Sequence, residues 1–78
     1  MPTLRLFATI RVAAGTGRDT VAGSTVAEVI ANATDRYGEG FAELVPICRV
    51  WVNGEAATES TTVADGDEIA LLPPVSGG

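Results

Sequence analysis

Between Thr3 and Ile10 apolar and polar positions alternate, with Leu4, Leu6, Ala8 and Ile10 on one side and Thr3, Arg5, Phe7 and Thr9 on the other. A period of two sends successive side chains to opposite faces of a pleated strand, so this stretch predicts a half-buried β-strand. Ala14-Gly15-Thr16-Gly17 supplies turn residues, and Asp19-Thr20-Val21-Ala22 is short enough to be the hairpin partner. The period then changes. Val26, Val29, Ile30, Ala33 and Tyr37 recur at helical spacing, while Glu28, Asn32, Asp35 and Arg36 fall away from that stripe. Thr25 with Glu28 three positions on makes a capping box, which satisfies amide groups at a helix start that otherwise lack partners. Gly38 is expected to end the helix in the left-handed conformation.

Phe41 to Val45 reads as a short turn of helix, which Pro46 stops. Cys48 to Val52 alternates again, with Cys48, Val50 and Val52 on one face and Arg49 and Trp51 on the other. Asn53-Gly54 signals a tight reversal into Glu55-Ala56-Ala57. Asp65-Gly66-Asp67 forms a further turn, and Glu68 to Leu72 is the last strand. The order is strand, strand, helix, strand, short strand, strand, with one helical stripe to cover one sheet face. This predicts an α+β chain of the β-grasp, ubiquitin-like kind: a mixed sheet of about five strands with one main helix packed on one face. Residues 1–72 are expected to form that domain and residues 73–78 an extended tail.

Composition narrows what such a domain can do. With 78 residues, 46% of them hydrophobic and 19% charged, the chain can bury a core but not a large pocket as well. The net charge of −5 sets five arginines against ten carboxylates, and no stretch gathers the arginines into a stripe that neutralises phosphates. Nucleic acid is not an expected partner. Histidine and lysine are both missing, which removes the usual general base, the Schiff-base amine and the common nitrogen ligands of metals. No metal site and no permanently bound cofactor are expected. Cys48, the single cysteine, lies in an apolar run and reads as a small buried hydrophobe. No signal peptide precedes the first strand and no apolar run has the length of a membrane span, so the expected location is the cytoplasm, with no membrane partner.

The chemistry then falls to the C-terminal segment Pro73-Pro74-Val75-Ser76-Gly77-Gly78. Two prolines forbid helix and keep the chain extended. Six extended residues project the terminus roughly 20 Å, at about 3.3 to 3.6 Å each. Two glycines without side chains pass through a narrow channel and let an enzyme approach the carboxylate closely. An α-carboxyl is ionised at neutral pH and can attack an activated phosphate. Adenylated with ATP by another enzyme, it becomes a mixed anhydride open to a sulfur nucleophile, which leaves a thiocarboxylate on Gly78. That route needs no catalytic side chain from this chain. Phe7, Trp51 and Leu72 each lie opposite the core-directed set of their strands, and together they form one exposed apolar patch or stand singly exposed. Asp65, Asp67 and Glu68 make either an acidic rim that complements arginines of an activating enzyme or a plain solvated turn.

With these residues in view the chain resembles the MoaD/ThiS family of ubiquitin-like sulfur carriers over nearly its whole length. The resemblance rests on Phe7-Ala8 followed by Arg11 and Gly15, on Val52-Asn53, on Asp65-Gly66-Asp67-Glu68, and above all on Leu71-Leu72-Pro73-Pro74-Val75-Ser76-Gly77-Gly78. It implies a cycle in which a MoeB-like enzyme adenylates Gly78 and a sulfur donor converts it to the thiocarboxylate. The tail then enters a MoaE-like large subunit of molybdopterin synthase, where sulfur passes to cyclic pyranopterin monophosphate. By position, Gly78 is the reacting residue, Gly77, Ser76, Val75, Pro74 and Pro73 thread the channel, and Phe7 and Leu72 fall at the partner interface. Trp51 joins that interface by strand parity alone. A carrier for thiamine or amino-acid sulfur, a protein modifier conjugated through Gly78, and a non-catalytic interaction domain are the alternatives.

Overall fold

The computed structural model describes residues 1–74. In chain order it contains β1 (Thr3–Leu6), α1 (Ala8–Ala14), β2 (Arg18–Thr20), α2 (Val26–Tyr37), α3 (Glu39–Leu44), a 3-10 turn (Val45–Ile47), β3 (Arg49–Val52), β4 (Glu55–Ala56) and β5 (Glu68–Leu72). The strands form one mixed sheet in the order β2-β1-β5-β3-β4, with β1 parallel to β5 and the other pairs antiparallel. This is the β-grasp fold. The first and last strands of the chain are neighbours, and β5 is central. Both edge strands are short, which leaves little free backbone to template association.

The inner sheet face carries Leu4, Leu6, Ile69 and Leu71, all fully buried. Val26, Val29, Ile30 and Ala33 of α2 pack on them, with Ile10, Val21, Phe41 and Val63 closing the core. Each buried Leu, Ile, Val or Phe side chain contributes about 1.5–3 kcal/mol through the water it leaves. The start of α2 is fixed by the expected residues: the Glu28 amide donates to Thr25 Oγ1 at 3.2 Å, and the Ser24 amide donates to Glu28 Oε1 at 2.8 Å. The Glu28 carboxylate thus reaches one residue beyond the cap. The amides of Val26 and Ala27 donate to Thr61 and Glu59, tying the helix to the loop before β5. Gly38 ends α2 at φ 92°, ψ −168°, a glycine conformation but not the expected left-handed helical one. It turns the chain straight into α3, where Phe41 meets the Tyr37 ring at 5.2 Å between centroids.

One element departs from the expected pattern. The first strand stops at Leu6, and residues 8–14 form α1 instead of continuing the strand to Ile10. Ile10 is buried all the same, on the helix face it shares with the partly buried Ala14 four positions on. Ala8, assigned to the core face by alternation, is exposed instead, and it turns the chain at φ 52°. Gly15 closes α1 in the left-handed conformation, its amide donating to the carbonyls of Arg11 and Val12. Strands β1 and β2 therefore pair as expected but are joined through a helix, not by a tight hairpin.

Candidate functional site

The root of the tail lies at the C-terminal end of β5, between the last residue of β1 and the first of β3. The register places Leu71 beside Leu6 and Val50, and Leu72 beside Arg49. Inward-facing Leu71 and Val50 put Leu72, Arg49 and Trp51 on the open sheet face, away from the helices. Phe7 keeps an extended conformation (φ −134°, ψ 157°) one residue past β1, so it shares that face with Arg5, whose guanidinium carbon sits 5.6 Å from the ring centroid. Phe7 is 37% exposed, while Trp51 and Leu72 are half-buried. The three apolar residues thus lie on one face of three adjacent strands. Pro73 is buried against the body, and the chain emerges at Pro74. Val75, Ser76, Gly77 and Gly78 lie outside the described residues.

At the other end of the sheet, Asp65-Gly66-Asp67 precedes the first residue of β5 and so sits a full strand away from the tail root. The Asp65 carboxylate pairs with the Met1 ammonium, and the Asp67 carboxylate serves the turn. The Asp67 side chain accepts from Asn53 Nδ2 at 3.0 Å and from the Ala64 amide at 2.8 Å. These bonds hold its carboxyl below the usual carboxylate range, the Asn53 bond most strongly. The Asn53 Oδ1 accepts from the Glu68 amide at 2.9 Å, and the Asn53 amide donates to the Glu68 carbonyl at 2.8 Å. Asn53 (φ 51°) and Gly54 (φ 82°) occupy the positive-φ positions of a two-residue hairpin turn. The Asp65-Gly66-Asp67 turn thus lies at the opposite end of β5 from the tail root.

The third polar centre joins β2 to α2. Asp19 faces the helices and accepts from Arg36 at 2.8 Å and from the Tyr37 hydroxyl. The Tyr37 bond, then the Arg36 bond, hold the Asp19 carboxyl below its ordinary value, while burial and then the Asp19 bond push the Tyr37 hydroxyl up. Cys48 is half-buried in a concavity of ≈ 380 Å³ between the 3-10 turn and β4, walled by Val45, Pro46, Trp51 and Ala57. Its thiol donates to the Leu44 carbonyl at 3.2 Å, and burial pushes its pKa up, so it stays a protonated packing residue. Among the described residues no group of three carboxylate or thiol side chains is arranged to hold a metal ion. No helix of the described residues is long and apolar enough to cross a membrane.

Pattern reading missed the company these residues keep. Arg5, Arg11 and Arg18 stand apart in sequence, yet with Phe7, Thr16 and Gly17 they line a cleft of ≈ 340 Å³ beside the tail root. The one signal for α1 is Gly15 after Ile10 and Ala14 at helical spacing, and the strand-like alternation running through Ile10 masks it.

A model of the ThiS family matches residues 4–78. Over 36 residues the chain is 56% identical to small archaeal modifier protein 1 of Haloferax volcanii, a segment covering 46% of this chain and 41% of that relative. The crystal structure of the Haloferax volcanii protein superposes with a TM-score of 0.84 at 33% identity, covering 99% of this chain and 98% of that one. A chain of the BexX/CysO complex from Amycolatopsis orientalis gives 0.82 at 30% identity, with 100% of both chains covered. A chain in the complex of subunits 1 and 2 of molybdopterin-converting factor from Helicobacter pylori gives 0.74 at 28%, covering 99% and 97%.

Proposed function

Because the chain belongs to the ThiS family of ubiquitin-like sulfur carriers, we propose that it carries sulfur as a thiocarboxylate on Gly78. An activating enzyme transfers AMP from ATP to the Gly78 carboxylate and releases pyrophosphate. A sulfur donor then displaces AMP and leaves the thiocarboxylate. In this reading the chain supplies no catalytic side chain; it supplies a terminus and a grip. The observation that carries it is the course of β5, the central strand, whose end opens directly onto Pro73-Pro74 beside Phe7, Trp51 and Leu72. A partner that binds this face meets the chain where it leaves the body at Pro74.

For the acceptor, the reading is a MoaE-like large subunit that uses the sulfur to build molybdopterin, the chain acting as the small subunit of molybdopterin synthase. The terminal Pro73-to-Gly78 sequence and the likeness to a chain of the Helicobacter pylori complex support it. A second reading, conjugation through Gly78 to lysines of other proteins, is supported by the 56% identity to small archaeal modifier protein 1.

Intact mass after incubation with ATP, a MoeB-like enzyme and a sulfur donor tests the common step. Wild type should gain the mass of one oxygen replaced by sulfur, and a Gly78 deletion should gain nothing; an unchanged wild-type mass beside an active control carrier would overturn the proposal. Adding a MoaE-like subunit and cyclic pyranopterin monophosphate then separates the acceptors. Consumption of the thiocarboxylate supports the first, and Gly78-dependent higher-mass conjugates support the second.

A further inference from the structure

Three of the five arginines in this acidic chain meet at one place. Arg5 and Arg18 are direct partners across the β1–β2 ladder, an arrangement in which like charges destabilise the sheet. Arg11 comes from the last turn of α1 and lies along Gly17, where a Cβ would stand 3.1 Å from its Nε and 3.3 Å from its Cδ. The Arg11 side chain thus lies over the Gly17 backbone. Among the described residues, carboxylates pair with Arg5 and Arg36 but with neither Arg11 nor Arg18. Even the Arg5 pair is long, 3.6 Å to Glu68 Oε2, and half in water, where such pairs contribute little. Asp19, the carboxylate between Arg18 and Thr20, is turned to the helices and engaged by Arg36 and Tyr37.

Three arginines therefore line one concave site, two of them without a carboxylate partner among the described residues, in a chain with twice as many carboxylates as arginines. The cleft runs into Phe7, and Phe7 shares its face with Leu72 and Trp51 at the tail root. We propose that this cleft is the docking site for an acidic segment of the protein that receives the tail, with two or three carboxylates reaching Arg5, Arg11 and Arg18 and an apolar side chain seated on Phe7. Guanidinium–carboxylate bonds are charge-assisted and often bidentate, and the apolar edge selects a peptide over a free anion. The inference rests on the carrier reading for the identity of the partner. It reverses the expected polarity of the encounter, because the docking end presents positive charge while the chain as a whole is negative.

The test is a titration of the isotope-labelled full chain, followed by amide chemical shifts at low salt, with a blocked hexapeptide of four glutamates and two leucines. Shifts should concentrate at Arg5, Phe7, Arg11, Gly17 and Arg18, fade as salt is added, and persist when Gly77 and Gly78 are deleted. The double variant Arg11→Gln, Arg18→Gln, with its Asn53 and Glu68 shifts unchanged as proof of folding, should bind at least tenfold more weakly. Scattered shifts, equal affinity of the double variant, or tighter binding of inorganic phosphate or pyrophosphate at the same residues would overturn the proposal. No sulfur chemistry enters this titration, so failure to form a thiocarboxylate would count against the carrier reading and leave the cleft untouched.

Discussion

The two ends of the sheet treat their polar groups in opposite ways. At the Asn53 end the side chains of Asn53 and Asp67 are turned inward on the chain: Asn53 holds the Glu68 backbone and the Asp67 carboxylate, and Asp67 in turn holds Ala64. At the Phe7 end three arginines crowd a cleft and an aromatic ring lies 37% exposed. One end spends its hydrogen-bonding capacity on rigidity, and the other keeps it for a partner. A small domain can do both only because β5 spans the distance, locked at its first residue and handing over the tail at its last.

That contrast breaks most sharply at the tail. Deleting Gly78 should abolish thiocarboxylation completely while leaving the thermal unfolding midpoint unchanged, as mass spectrometry and calorimetry on one sample would show. Next in size, Phe7→Ser together with Leu72→Ser should weaken binding of the receiving protein by roughly 30-fold or more, the scale of about 2 kcal/mol seen when interface anchors are truncated. A loss of stability of the same size in denaturant titration would mean that these side chains serve the fold instead. At the locked end the expectation inverts. Asn53→Ala should lower stability by about 1–2 kcal/mol, since it removes two side-chain bonds and puts alanine at positive φ, with thiocarboxylation at the wild-type rate.

The smallest expected effect sharpens the comparison from the other side. Arg18→Gln removes the like charge opposite Arg5 and should raise stability by a few tenths of a kcal/mol, up to about 0.5, at low salt. The Asp19 centre, which belongs to the locked side in spirit, answers to pH. The folded Asp19 carboxyl lies below its ordinary value of 3.8, so its contribution is full above that pH and disappears as pH falls through the folded value. The folded Tyr37 hydroxyl lies above its ordinary value of 10.0, so its contribution is full below that pH and fades as pH rises through the folded value. Unfolding midpoints of Asp19→Asn should therefore converge on wild type in acid and separate from it near neutrality; parallel curves throughout would remove Asp19 from the ledger of stabilising groups.

What could be read from the chain follows the same division. The locked side is local chemistry: Thr25 and Glu28 announce the start of α2, Asn53-Gly54 its hairpin, and Asp65-Gly66-Asp67 the entry to β5, each within a few residues. The docking side is assembled over distance. Phe7, Trp51 and Leu72 were legible as outward-facing because strand parity is local, and the sheet order then makes them neighbours. The arginine cleft was illegible because it depends on α1, and α1 is hidden by coincidence: Leu4, Leu6, Ala8 and Ile10 satisfy a strand, while Ile10 and Ala14 equally satisfy a helix. With the strand run on to Ile10, Arg11 points away into a turn and never meets Arg18. Gly15, which closes α1, carried the missing information, but it reads equally as part of the turn that the alternation predicts.

The position of β5 also decides what happens when the tail is pulled. A tug on the segment beyond Pro74 runs along the axis of β5, which is bonded to β1 on one side and β3 on the other over most of its length. The ladder bonds lie across that axis or slanted to it, so the load meets them in shear and they must fail together, whereas a strand at the sheet edge peels open one bond at a time. Forced unfolding is governed by the height of that barrier. The tail is thus a handle fixed to the part of the domain that resists force best, and a machine that drags on it will stall against the whole sheet or carry the domain along intact.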